Sequence, residues 1–152
     1  MRAYATEGGH GEDFVGGNMK AYIHQVQYYE TDRMGIVHHS NYVRWMEEAR
    51  MDFFRQLGCG YEALEAEGII SPVTSVECKY KVTTTFAEEI HIDVRVAEFK
   101  GVKLKLKYAM TREGEVVCEG YSEHCFLDNG GKIVSLKKSV PAVYEILAGQ
   151  VD

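Results

Sequence analysis

Tyr28-Tyr29-Glu30-Thr31-Asp32-Arg33-Met34-Gly35-Ile36-Val37-His38-His39-Ser40-Asn41-Tyr42-Val43-Arg44-Trp45-Met46-Glu47-Glu48-Ala49-Arg50 is the stretch on which the reading of this chain turns. It sets a carboxylate, a glycine turn and two histidines immediately before a long helical pattern. The apolar positions Tyr42, Trp45, Met46, Ala49, Phe53 and Leu57 follow three- and four-residue spacing, the signature of a helix with one buried face. Ser40 or Asn41 is the expected cap, and Gly58 and Gly60 the stop near Leu57. The free N–H groups of a helix start collect partial positive charge. An acid and an imidazole beside them suit acyl or phosphoryl chemistry.

Upstream, Tyr22–Tyr29 is aromatic, β-branched and amide-rich, as a first strand is. Downstream, a short helical turn near Tyr61–Glu67 ends at Gly68, and the period then changes to two. Val76, Cys78, Tyr80 and Val82 alternate with polar residues. So do Ile90, Ile92, Val94 and Val96, and then Val102, Leu104, Leu106 and Tyr108. Each run predicts a strand with one buried and one wet face. Residues 115–127 alternate less cleanly, as a more central strand does. Gly101, Gly114 and Asp128-Asn129-Gly130-Gly131 mark turns, and Pro141 opens a short last helix.

The order β–α–β–β–β–β predicts a two-layer α+β domain, with one long helix across the apolar face of an antiparallel sheet. Lys103, Lys105 and Lys107 are expected on the outer face opposite Glu119 and Glu123. Residues 1–18, dominated by Gly8, Gly9, Gly11, Gly16 and Gly17, read as a flexible extension. Residues 19–152 read as the single domain.

Composition narrows the function classes. A net charge of −6 argues against non-specific nucleic-acid binding. No apolar run approaches the length needed to span a bilayer or to act as a signal peptide. Cys59, Cys78, Cys118 and Cys125 are scattered, without a C-x-x-C pair, which suits reduced thiols in a cytoplasmic protein. There is no glycine-rich phosphate loop and no G-x-S-x-G elbow.

The motif resembles that of the 4-hydroxybenzoyl-CoA thioesterase family of hotdog-fold acyl-CoA thioesterases, including those of Tol–Pal gene clusters. The matching residues are Tyr29, Thr31, Asp32, Gly35, Ile36, Val37, His39, Tyr42, Glu47, Ala49 and Arg50. His38 departs from the family's usual Tyr or Trp. The element order extends the likeness over residues 20–145. The resemblance implies a hotdog fold, with a long central helix wrapped by a five-stranded antiparallel sheet, and hydrolysis of an acyl-CoA thioester. It also implies a catalytic aspartate at Asp32. Two routes stay open for it, attack on the thioester carbon or general-base activation of water.

His39, at the helix start, is the second catalytic candidate, through its backbone N–H or its ring. Tyr42 and His38 are candidates for lining the acyl pocket, together with Met34, Trp45 and Met46. Lys100 and Lys103, or Lys137 and Lys138, are candidates for the coenzyme A phosphates. No metal and no cofactor is expected, because coenzyme A is part of the substrate. His91 and Asp93 share a strand face but lack a third ligand. Glu47 and Arg50 are expected to pair along the helix.

An unpaired sheet edge implies at least a homodimer, with the pantetheine arm between subunits. The family often forms tetramers, so a homotetramer is the fuller expectation, although the charged sheet face argues against a back-to-back one. Two alternatives remain. One is a hydratase or dehydratase of acyl thioesters, whose H-F-P-G-type motif is missing here. The other is a non-catalytic acyl-CoA-binding module. The DNA-binding form of such a module is disfavoured by the short, acidic stretch of residues 1–18.

Overall fold

The computed structural model describes residues 14–15 and 19–151. The expected flexible extension falls outside the described residues, apart from Phe14–Val15. That pair forms β1, in a two-stranded antiparallel ribbon with β2 (Met19–Lys20).

The main sheet has five strands: β3 (Tyr22–Gln25), β4 (Val73–Tyr80), β5 (Glu89–Phe99), β6 (Leu104–Arg112) and β7 (Glu115–His124). Their order is β3-β5-β6-β7-β4, with every neighbouring pair antiparallel. β3 and β4 are therefore the edges. A 3-10 turn over Tyr28–Glu30 leads to α1 (Ser40–Leu57), followed by α2 (Tyr61–Glu65). After the sheet come α3 (Leu136–Ser139), which the sequence pattern does not announce, and α4 (Pro141–Ala148), opened by Pro141.

The expected α+β architecture is present, and the long helix is 18 residues. It stops where Gly58 takes a left-handed φ of +81° and donates its N–H to the Phe54 and Arg55 carbonyls, a conformation glycine adopts without a Cβ penalty. Trp45, Met46 and Ala49 on α1 pack among Ile90, Ile92, Leu106 and Met110 of the central strands, all nearly free of solvent. Burying such side chains supplies the main drive for the fold.

Four local expectations are corrected. Neither Ser40 nor Asn41 caps α1. His39 holds the cap position with helical angles and no side-chain cap bond. Asn41 is buried instead, and its amide donates to the Glu30 and His38 carbonyls at 3.0 and 3.2 Å, which satisfies a polar side chain held away from water.

Glu47 and Arg50 do not pair. Glu47 is exposed, while Arg50 is buried and donates to the Tyr108 hydroxyl at 3.0 Å. Tyr108 bonds Ser122, and Ser122 bonds His124, each at 2.7 Å. Burial, and then the Arg50 charge, push the His124 pKa down to about 4, so this imidazole is neutral.

β4 does not bury one face. Val73, Val76 and Tyr80 are all exposed and only Cys78 is half-covered, because an edge strand lies at the margin of what one helix can cover. On the outer sheet face, Lys103 meets Glu123 at 3.2 Å, but Glu119 meets Lys81 at 3.2 Å, and the Lys105 ammonium sits 4.7 Å above the Tyr121 ring.

β4 is held close to β7 at Gly120, which pairs with Cys78. A Cβ there would lie 2.5 Å from the Glu77 carbonyl oxygen and 3.3 Å from Met46 Cε. Gly120→Ala is therefore expected to cost about 1–3 kcal/mol, as overpacking does. A urea unfolding midpoint equal to wild type would overturn this reading of the contact.

Candidate active site

The residues between β3 and α1 form a small hairpin. Thr31 and Val37 pair as an isolated bridge. Inside it the Asp32 N–H donates to the Ile36 carbonyl at 2.8 Å and the Gly35 N–H to the Asp32 carbonyl at 2.9 Å. Gly35 sits at φ +83°, a turn position that a side chain would strain. The Asp32 carboxylate closes the turn by accepting the Met34 N–H on Oδ1 at 2.8 Å. Its second oxygen has no hydrogen bond to a described residue. Two bonds fix the hairpin to the loop that follows β4: Val37 N–H to the Thr84 carbonyl at 2.9 Å, and Thr85 hydroxyl to the Gly35 carbonyl at 2.7 Å.

Beside this hairpin lies a cavity of about 250 Å³ lined by Asp32, Met34, Ile36, Val37, His39, Tyr42, Tyr80, Lys81, Val82 and Thr83. Asp32 thus shares one mostly apolar cleft with His39 and Tyr42. The start of α1 borders it. The N–H groups of Ser40, Asn41 and Tyr42 are all used, on His38 Nδ1 and on the His38 and His39 carbonyls. The His39 N–H has no partner among the described residues, so it is the one donor at the helix start left for a ligand oxygen. The His39 ring stacks on His38 with centroids 4.2 Å apart and meets Tyr80 edge-on at 6.2 Å.

Tyr42 is buried, and its hydroxyl bonds Thr84 Oγ1 at 2.7 Å. Burial raises its pKa despite that bond, so it serves as a neutral hydroxyl.

The other candidates fall elsewhere. His38 is exposed, bonds the Ser40 hydroxyl through Nδ1 at 2.9 Å and does not line the cavity. Trp45 and Met46 are core residues beneath it. Lys100 and Lys103 flank the β5–β6 hairpin, away from the lining. Among the described residues, no group of three or more His, Cys, Asp or Glu side chains is placed to hold a metal.

Tyr80, Lys81 and Thr83 supply a wall that the motif does not include. Tyr80 comes from the edge strand and donates its hydroxyl to the His39 carbonyl at 3.1 Å. The sequence signal for this wall is the break in alternation at Thr83-Thr84-Thr85, directly after the strand. Beneath Tyr80, the Cys78 thiol lies 3.4 Å from the Met46 sulfur, and the neighbouring Cys118 thiol lowers the Cys78 pKa to about 7.

Residues 26–147 match the family described as the thioesterase-like superfamily. The chain belongs to this family. Among solved structures, the DHNA-CoA thioesterase from Staphylococcus aureus superposes with a TM-score of 0.81. It shares 30% identity with this chain, over 85% of it and 88% of that one. The Aquifex aeolicus protein AQ1494 gives a TM-score of 0.78 at 34% identity, over 84% of this chain and 98% of its own. The acyl-CoA thioesterase YbgC of Haemophilus influenzae is 25% identical over 125 residues, which are 81% of this chain and 92% of that protein. The fold is the hotdog fold of thioesterase-like proteins.

Proposed function

We propose that this protein hydrolyses an acyl-CoA thioester to the free acid and coenzyme A. The observation that carries the reading is the shared cleft, which both Asp32 and His39 line, with the His39 N–H unpartnered among the described residues. The relatives named as acyl-CoA thioesterases support the substrate class.

Asp32 acts on the thioester carbon in one of two ways. As nucleophile it forms a mixed anhydride and expels the coenzyme A thiolate, and water then cleaves the anhydride. As general base it takes a proton from water as the water oxygen adds to the carbonyl; the tetrahedral adduct then collapses with cleavage of the C–S bond, and the proton held by Asp32 passes to the departing coenzyme A thiolate. Both routes place negative charge on the carbonyl oxygen. The His39 N–H, at the positive end of α1, is the donor for that charge. Tyr42, with Met34, Ile36 and Val37, receives the acyl group. Lys81 is the lysine at the cavity. Lys100 and Lys103 reach the coenzyme A phosphates only if the arm runs out along the sheet or between subunits.

A homodimer suits the open edges, because β4 presents Val73, Val76 and Tyr80 to solvent with its ladder unpaired on one side. A tetramer extends the same proposal. Among the described residues no helix is long and apolar enough to cross a membrane. A cytoplasmic location rests on the charge and the free cysteines.

A thiol-release assay over a panel of aliphatic and aryl acyl-CoA esters tests the reading. Turnover of at least one ester with stoichiometric coenzyme A is expected. A hydrated or dehydrated product with the thioester intact would instead make the protein a hydratase. Binding without any reaction would make it an acyl-CoA-binding module.

A further inference from the structure

Behind the Asp32 hairpin lies a buried ionic cluster that the hydrolytic scheme does not use. Glu30 sits in the 3-10 turn, two residues before Asp32, and is only 5% exposed. Its Oε1 accepts the Gln27 N–H at 2.8 Å and bonds His24 Nε2 at 2.9 Å, and its Oε2 accepts the Trp45 indole N–H at 2.8 Å. Its carbonyl accepts the His38 N–H at 2.9 Å and the Asn41 amide at 3.0 Å. One residue therefore ties the end of β3 to the far leg of the Asp32 hairpin and to the first turn of α1.

His24 is what holds this carboxylate in a dry site. It is 8% exposed and its ring packs on Trp45, with centroids 4.6 Å apart. Nε2 faces Glu30 at 2.9 Å and Nδ1 faces Glu48 at 3.2 Å. A neutral imidazole has one N–H, so both bonds form only when the ring carries two protons. The charged groups facing it are Glu30 from the 3-10 turn and Glu48 from α1. Tyr22, on its own strand, donates to Glu48 at 2.9 Å. Its partner across the sheet on β5 is the apolar Ile90.

We propose that Glu30 is a positioning residue for Asp32 and the His39 N–H, and that the doubly bonded His24 is the proton-dependent latch that keeps it in place. This assignment rests on the hydrolytic role given to Asp32 above. Losing the second proton of His24 leaves a buried carboxylate short of a charged partner, which is costly in a site this dry. The turn then loosens at the base of the Asp32 hairpin.

Burial alone lowers the His24 pKa, but hydrogen bonds to Glu48 and Glu30 outweigh it, and the net shift is upward from 6.5. With a raised folded-state pKa, the latch contributes its full stabilisation below 6.5 and loses it as the pH rises through the folded value. The site is therefore firmest below 6.5 and loosens as the pH rises through the raised folded-state value.

The test is a titration from mildly acid to alkaline pH of isotopically labelled protein. It follows the His24 ring signals, the amide signals of Met34 and Gly35, and the rate of thioester hydrolysis in parallel. The three curves are expected to share one midpoint. Glu48→Gln is expected to move that midpoint to lower pH in all three. His24→Gln, which keeps one neutral donor toward Glu30, is expected to remove the alkaline step from both the amides and the rate. Glu30→Gln is expected to lower kcat roughly 10- to 100-fold, the cost of small misplacement of a reacting group, with KM nearly unchanged.

The proposal is overturned if the Met34 and Gly35 amides ignore the His24 titration, or if their step persists in His24→Gln. If the wild type hydrolyses no ester in the panel, the hydrolytic reading fails separately. The amide titrations alone then decide whether His24 governs the Asp32 hairpin.

Discussion

Asp32→Asn is expected to fold as the wild type does and to lose acyl-CoA hydrolysis by two or more orders of magnitude. The two halves of this result have different physical sources. Asparagine keeps a side-chain oxygen to accept the Met34 N–H, the bond that closes the turn at 2.8 Å. The hairpin bonds from Asp32 N–H to Ile36 and from Gly35 N–H to residue 32 are backbone bonds and survive. An amide, however, is neither a nucleophile toward a thioester nor a base toward water. Removing such a group costs on the order of 10²–10⁴ in rate. Thiol release gives kcat, and a urea midpoint gives the fold. Near-wild-type turnover would remove Asp32 from the chemistry. A collapsed midpoint would show that its carboxylate is structural.

The largest effect on stability is expected at Trp45. The side chain is completely buried, touches His24 and Tyr42 with centroids 4.6 and 4.7 Å away, and donates its indole N–H to Glu30. Truncating a buried tryptophan to alanine costs about 3–5 kcal/mol. A hydrogen bond to a charged group adds about 1.5–3 kcal/mol. Against a typical total of about 5–15 kcal/mol, Trp45→Ala should sit at or beyond the edge of folding at room temperature. Trp45→Phe keeps most of the volume and removes the N–H, so its loss is expected near 2 kcal/mol, the hydrogen-bond part. Circular dichroism of the alanine variant and denaturant titration of the phenylalanine variant check both values. Wild-type midpoints in the two variants would show that the indole is not the keystone between helix and turn.

The features legible in the sequence are those fixed by short-range rules. Helical spacing and Gly58 marked the end of α1 at Leu57. Strict alternation marked β5 and β6, whose one apolar face meets the helix. Asp32, His39 and Tyr42 share a cleft because a glycine turn and one helical turn separate them, distances over which local geometry decides position. What escaped reading depends on partners far along the chain. Arg50 finds Tyr108 across 58 positions, and Tyr80 finds the His39 carbonyl across 41. No periodicity encodes either meeting. β4 misled because alternation signals a strand but not its rank in the sheet. The same pattern serves a covered strand and an edge strand with both faces wet. Asn41 misled because its amide turns to the Glu30 and His38 carbonyls of the preceding loop, not to the N–H groups of its own helix.

One wall of the candidate cleft belongs to that edge strand. Tyr80 leaves an exposed strand to close over His39, whereas Asp32 and His39 stand on the turn and helix clamped to the core. Strands with few covered side chains are the segments that open first and most often, without the rest of the fold giving way. The cleft therefore has a firm floor and a breathing side. Its shape at any moment is a population, with closed forms set by how long β4 stays docked. Whatever lies along that strand's outer edge also sets the time the site spends closed.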